Sequence, residues 1–134
     1  MEVVKVRKKN LKTDKKVETR KPPTEKAIEN SILDYLATIP GCRAWKNQTT
    51  GIYDPNLKMF RPLHGKYSGK GSSDILACIN GRFVAIEVKR PVGSTIRAEQ
   101  VDFIRDIIRC GGVAFFAVSI EDTKEKLRFF GIIQ

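Results

Sequence analysis

The stretch SSDILACINGRFVAIEVK, residues 72–89, decides the fold. At its centre is Asn80-Gly81. A tight type I′ hairpin turn needs positive φ at both central residues, and Asn-Gly is the pair that tolerates this best. The apolar runs on either side then read as two antiparallel strands. A two-residue loop pairs Ile79 with Arg82, and stepping outward along both strands brings Asp74 opposite Glu87. Side chains opposed in this way have Cβ atoms roughly 4.5–5.5 Å apart. Lys89, two residues past Glu87, emerges on the same face. That face also carries Leu76, Cys78, Phe83 and Ala85, while the other carries Ile75, Ala77, Ile79, Val84, Ile86 and Val88. Both faces are apolar, so each needs cover, and the expected class is α/β with a sheet between helices.

Two ionised carboxylates at about 5 Å repel by roughly 3 kcal/mol at an effective dielectric of about 20. A shared proton or an intervening cation relieves that repulsion. Oxygen ligands beside open solvent suit Mg²⁺, which keeps several waters and takes one or two carboxylates. The plainer reading is a cluster of exposed strand-end charges with Lys89 bridging them. Both readings stand at this point.

Outward from the hairpin, the pattern predicts one domain over residues 24–134, preceded by a basic arm at 1–23. Thr24 follows Pro22-Pro23 and is placed to cap a helix, TEKAIENSILDYLATIPG. Ile28, Ile32, Leu33, Leu36 and Ile39 recur in it at helical spacing. Residues 42–48 read as a short strand, and 49–73 as a long irregular segment, which suggests a functional loop. A second helix is expected from a cap near Ser94 or Thr95 to the stop at Gly111-Gly112, with Ile96, Phe103, Ile104, Ile107 and Ile108 on its buried stripe. Residues 113–119 form an apolar strand. Strand, helix and strand then make a βαβ unit with a right-handed crossover, so strands 82–89 and 113–119 should run parallel. The last residues, a charged turn and a short tail, give no assignment.

The composition, 41% hydrophobic and 30% charged over 134 residues, is that of a globular domain with a real core. No apolar run approaches the ~20 residues of a membrane span or has the flanks of a secretory signal. Cys42, Cys78 and Cys110 are odd in number and lack zinc-ligand spacing, so buried, reduced thiols in a cytoplasmic protein are expected. His64 is the single histidine, which argues against a histidine-ligated zinc site, and no GxSxG elbow supports a serine hydrolase. Net charge is +10, and the arm at 1–23 carries nine Lys/Arg against three Asp/Glu. It is expected to be flexible. Such an arm either lies along phosphates or serves as a solubilising tail.

Two polar residues sit where apolar ones are expected. Glu29 falls beside the stripe of the first helix, and Gln100 among the core positions of the second. Glu25, one turn before Glu29, competes for the same role. In order, Glu29, SSD ending at Asp74, EVK at 87–89 and AEQ ending at Gln100 resemble the virus-type replication-repair nuclease (VRR-NUC) domain of the PD-(D/E)XK superfamily. The resemblance covers about residues 24–120, with Ser73 standing where the superfamily name has proline.

It implies an α/β, restriction-endonuclease-like fold, a mixed central sheet flanked by helices in the order α-β-β-β-α-β. It implies that Asp74, Glu87 and the backbone carbonyl of Val88 bind Mg²⁺, with Mn²⁺ able to substitute, and that Glu29 does so directly or through water. Lys89 is implied to orient the attacking water, and Gln100 to brace the site. The chemistry implied is hydrolysis of DNA phosphodiesters at branched structures such as Holliday junctions, by a homodimer acting in phage or bacterial recombination and repair. From the residues themselves, Lys58, Arg61, His64, Lys66 and Lys70, interleaved with Tyr53, Phe60 and Tyr67, fit phosphate contact and base stacking, or else a solvated lid. Arg43, Lys46 and Arg90 extend the basic rim. A non-catalytic nucleic-acid-binding module and a restriction-type or RNA-directed nuclease are the rival readings.

Overall fold

A computed structural model describes residues 20–48, 51–61 and 65–134. Most of the basic arm (1–19) and His64 lie outside the described residues. Among the described residues three helices, α1 (Glu25–Leu36), α2 (Ala98–Arg109) and α3 (Ile120–Phe129), accompany six strands. The strands are β1 (Cys42–Lys46), β2 (Tyr53–Asp54), β3 (Met59–Phe60), β4 (Ile75–Ile79), β5 (Arg82–Val88) and β6 (Val113–Ala117).

The turn between β4 and β5 has φ of 49° at Asn80 and 81° at Gly81, as a type I′ loop requires. The ladder therefore runs without a bulge, from Ile79 opposite Arg82 to Ile75 opposite Ile86. β1 pairs antiparallel with β4, and β6 pairs parallel with β5, giving the order β1-β4-β5-β6. The parallel pair is the predicted βαβ unit.

Period-two alternation divides the core between two layers. Ile75, Ala77, Ile79, Val84, Ile86 and Val88 pack with Ile28, Ile32 and Leu36 of α1 and Leu127 of α3. On the other face Ala85 and Ala114 pack with Ile104 of α2, flanked by Leu76, Phe103, Ile107 and Phe116. Ile32 is fully buried, and its truncation to alanine is expected to cost about 2–5 kcal/mol. Thr24 caps α1, its Oγ1 accepting from the Ala27 N–H at 3.1 Å.

Several expectations are corrected. α2 begins at Ala98, with extended Arg97 as N-cap, and residues 94–97 are not helical. Ser94 and Thr95 have other partners, described below. Ile96 thus lies outside the helix, and both it and Ile108 are exposed. Cys78 and Cys110 are exposed and Cys42 is half-buried, so the thiols are not a buried set. The segment 49–73 is not wholly irregular, since β2 and β3 pair as a small antiparallel hairpin.

The unassigned C-terminal segment forms α3. Its cap is Ser119, whose Oγ accepts from the Asp122 N–H at 3.0 Å. Asp122 in turn accepts from the Val118 N–H at 3.0 Å, and Lys126 donates to the Phe116 carbonyl. The Lys89 N–H donates to the Ala117 carbonyl, so that carbonyl points toward β5 and the Phe116 carbonyl points to the open side. α3 thereby supplies partners to two backbone groups at the β6 edge of the sheet. Among the described residues no helix is long and apolar enough to cross a membrane.

Candidate active site

One step beyond the last ladder pair, Asp74 and Glu87 meet across the open end of the central hairpin. Asp74 does not waste its carboxylate on solvent: Oδ2 accepts the Val88 N–H at 2.9 Å. Glu87 is 3% exposed and receives the Gln100 amide on Oε1 at 2.6 Å. Its other oxygen, Oε2, is buried without a hydrogen-bond partner. Burial above all, then the charge of Asp74, pushes the Glu87 carboxyl up from 4.5 to about 8, and Lys89 only partly offsets this. The Lys89 ammonium, also buried, lies 3.7 Å from Glu87 Oε1 and donates to the Thr95 carbonyl at 2.8 Å.

The surroundings fix this geometry. Gln100 is the third residue of α2 and its Oε1 accepts the Arg97 N–H at 3.0 Å, which satisfies an orphan donor of the helix end. With its oxygen so engaged, the amide nitrogen can only face Glu87. A glutamate could make the first bond but not the second. Ser94 Oγ accepts from the Arg90 N–H and donates to Glu25, each at 2.7 Å, tying the loop after Lys89 to the first turn of α1.

Asn47, just past β1, holds the chain that leads into Asp74. Its amide donates to Ser72 Oγ at 2.7 Å and to the Ser73 carbonyl at 3.0 Å, and its N–H donates to the Asp74 carbonyl at 2.7 Å. Gly71, at φ 81°, lets that loop press on α2. A Cβ there would meet the Glu99 carbonyl oxygen at 2.5 Å.

A cavity of about 620 Å³ opens over these groups, lined by Glu25, Asp74, Glu87, Lys89 and Gln100, with Lys70 and Arg90 among its basic residues. Glu29 is not part of that lining. It is half-buried and pairs with Lys46 at 3.8 Å. Its carboxyl is raised by burial first, lowered by Lys46 and raised again by Asp74, so it lies within electrostatic reach of the site. Arg43 is exposed on β1. The Arg61 guanidinium is engaged by buried Asp54, with Nε donating at 2.7 Å, which holds the Asp54 carboxyl below its usual range. Lys58 is exposed beside β3, and Lys66 lies over the Tyr67 ring at 5.4 Å.

The donor set fits a hard divalent cation. Because the Lys89 N–H points to β6, the planar peptide turns the Val88 carbonyl the opposite way, toward the Asp74 side. Two opposed carboxylates, one with an orphaned buried oxygen, together with that carbonyl are oxygen ligands of the kind Mg²⁺ takes alongside waters. Among the described residues no group of three or more His, Cys, Asp or Glu is gathered for a metal, so a cation here would rest on two carboxylates, the Val88 carbonyl and water.

Nothing in the sequence pattern singled out Asn47. It did flag Glu25 as a competitor of Glu29, and the side of α1 that meets the cavity became visible only with the Ser94 contact. The close approach at Gly71 had a faint signal in the glycine-rich run 65–71.

No protein-family model matches the sequence, and no curated protein matches it. Among solved structures the chain is similar to a VRR_NUC domain protein, with a TM-score of 0.53 at 17% identity. The match covers 85% of this chain and 93% of that one. The likeness is one of fold: a mixed sheet flanked by helices, similar to that of the VRR_NUC domain protein.

Proposed function

We propose that the protein is a Mg²⁺-dependent endonuclease that hydrolyses DNA phosphodiester bonds. The observation that carries this reading is the orphaned Oε2 of buried Glu87, held opposite Asp74 under a cavity with Lys70 and Arg90 in its wall. An uncompensated buried oxygen is costly unless a proton shared with Asp74 or a cation binds there, and a cation displaces that proton. Asp74, Glu87 and the Val88 carbonyl would hold the cation, with Glu29 in contact through water. When bound, such a cation acts as a Lewis acid toward a phosphoryl oxygen and lowers the pKa of attacking water.

The chain's own groups do the rest. Lys89, fixed by the Thr95 carbonyl, orients the incoming water and offsets negative charge growing on the phosphate. Gln100 keeps Glu87 in one rotamer. Lys70 and Arg90 receive the flanking phosphates, with Arg43, Lys46, Lys58 and Lys66 farther along the backbone path. We further propose that the preferred target is branched DNA, including four-way junctions, cut by a homodimer in phage or bacterial recombination and repair. The supporting argument for two copies is that one such site reaches one strand, so cutting both strands at a branch takes a pair of sites.

Purified protein incubated with junction, flap, duplex and single-stranded DNA and RNA tests the reading. Mg²⁺-dependent cleavage, fastest on branched DNA and lost in Asp74→Ala and Lys89→Ala while binding persists, is the expected outcome. Binding without cleavage or metal uptake would point to a non-catalytic module, and cleavage confined to RNA or to linear duplex would redirect the substrate assignment.

A further inference from the structure

The hairpin of β2 and β3 carries a surface unlike that of an ordinary solvent-facing loop. Tyr53 and Phe60 are directly paired across it, ring centroids 5.3 Å apart and edge to face at 65°. They are 51% and 57% exposed. The alternate position, Asp54, is buried and braces the hairpin from within. It accepts the Asn56 N–H at 2.9 Å and the Arg61 guanidinium, while the Arg61 N–H donates to the Ile52 carbonyl at 2.8 Å. The ring pair is thus displayed on a short, cross-tied scaffold, and nothing in the packing calls for aromatic side chains on that face.

Its position and charge indicate what covers it. The chain enters β2 directly from Gly51, which lines the catalytic cavity, and the later stretch 65–71 returns to the cavity wall at Lys70 and Gly71. In these two described segments, 51–61 and 65–71, Asp54 is neutralised by Arg61, and the remaining charges, Lys58, Lys66 and Lys70, are all positive. A second copy of a chain with net charge +10 would bring like charge to this face. A polyanion with free aromatic faces is the complementary partner.

Bases in an intact duplex are already stacked on one another. Only unpaired bases expose a face to an aromatic platform. We propose that the Tyr53–Phe60 pair is a stacking platform for unpaired bases, so that the site takes DNA with a single-stranded or unstacked element beside the phosphate entering the cavity. This rests on the nuclease reading of the cavity for its orientation, and it names the substrate feature that reading leaves open.

The test measures DNA affinity by fluorescence anisotropy in EDTA, where no cleavage is expected to intervene. Labelled single-stranded, flap and blunt duplex DNA are compared for the wild type and for the double variant Tyr53→Leu/Phe60→Leu, which keeps apolar bulk but removes the π-faces. The expected result is a loss of about 5- to 100-fold on the two DNAs with unpaired bases and less than about twofold on blunt duplex. Tyr53→Trp provides a second readout should the double variant melt early. Its indole fluorescence should be quenched by single-stranded DNA and not by duplex, read as the difference from the wild type, whose only indole is Trp45.

Equal loss on all three DNAs, no loss, or an indole that does not respond would overturn the platform. So would sedimentation showing a wild-type dimer that the double variant dissolves with DNA affinity unchanged, since the face would then join two copies. Parallel reactions in Mg²⁺ separate the two claims. Cleavage with unchanged affinities removes the platform alone, while selective loss of affinity without any cleavage removes the nuclease reading alone.

Discussion

Gln100 donates its amide to Glu87 at 2.6 Å and so occupies one oxygen of a buried carboxylate whose other oxygen, Oε2, has no partner. Half of Glu87 is fixed by the protein, and half is left facing Asp74. Such a carboxylate is aimed rather than merely tolerated, and the first prediction follows from how it is aimed. Gln100→Leu removes the donor and leaves both oxygens of Glu87 without one, which should cost about 1–3 kcal/mol where Glu87 is ionised. Gln100→Glu loses the bond to Glu87 but adds a third negative group beside the cation site, so it should lower the Mg²⁺ concentration needed for half-maximal cleavage while slowing the maximal rate. Urea unfolding and a metal titration of the cleavage rate check the two effects separately.

The second prediction concerns pH. With its carboxyl pushed up to about 8 in the metal-free protein, Glu87 stays protonated over a window in which the unfolded chain, ordinarily at 4.5, has already released its proton. The folded state binds more protons there, so stability falls as pH rises through that window. Below it both states are protonated, and above about 8 the full penalty is in place. Glu87→Gln should therefore melt higher than the wild type at pH about 8.5, with the two curves converging near pH about 4.5. Cation binding displaces the same proton, so Mn²⁺ affinity should rise by up to about tenfold per pH unit until about pH 8 and then level off. Calorimetry in buffers of different ionisation enthalpy reads the released proton directly.

Gly71→Ala should be damaging in two ways. The position has φ 81°, and the new Cβ would press on the Glu99 carbonyl oxygen. The backbone conformation alone costs about 1–3 kcal/mol. Displacing the loop that delivers Asp74 should slow cleavage by about 10- to 100-fold. Thermal melting and single-turnover cleavage of the variant measure both.

Ser73→Ala should do the opposite. Ser73 is buried and its hydroxyl has no partner, whereas its carbonyl does the structural work by accepting from Asn47. Removing an unsatisfied hydroxyl should leave stability unchanged or raise it by about 1 kcal/mol, with cleavage retained. Loss of stability by chemical denaturation would show that the hydroxyl has a partner in solution.

Which parts of this were legible beforehand depended on how local their causes are. The central hairpin could be read because Asn80-Gly81 admits essentially one turn, and that turn fixes every pair as far as Asp74 and Glu87. The two-sided sheet followed from alternation within the same strands. α3 could not be read, since Thr123 and Leu127 are the residues it fully buries and its register is set by Asp122 and Lys126 reaching back to β6. The start of α2 was misplaced because Ser94 looked like a cap, when its hydroxyl instead joins Arg90 to Glu25 across the fold. Asn47 was invisible for the same reason: its partners lie 25 and 26 residues away.

The most direct test is single-turnover cleavage of a labelled four-way junction by the wild type and by Asp74→Asn, in Mg²⁺ and in EDTA. The account predicts cutting by the wild type in Mg²⁺ alone, with Asp74→Asn still binding the junction but leaving it whole. Cleavage that persists in EDTA or in the Asp74→Asn protein would contradict it.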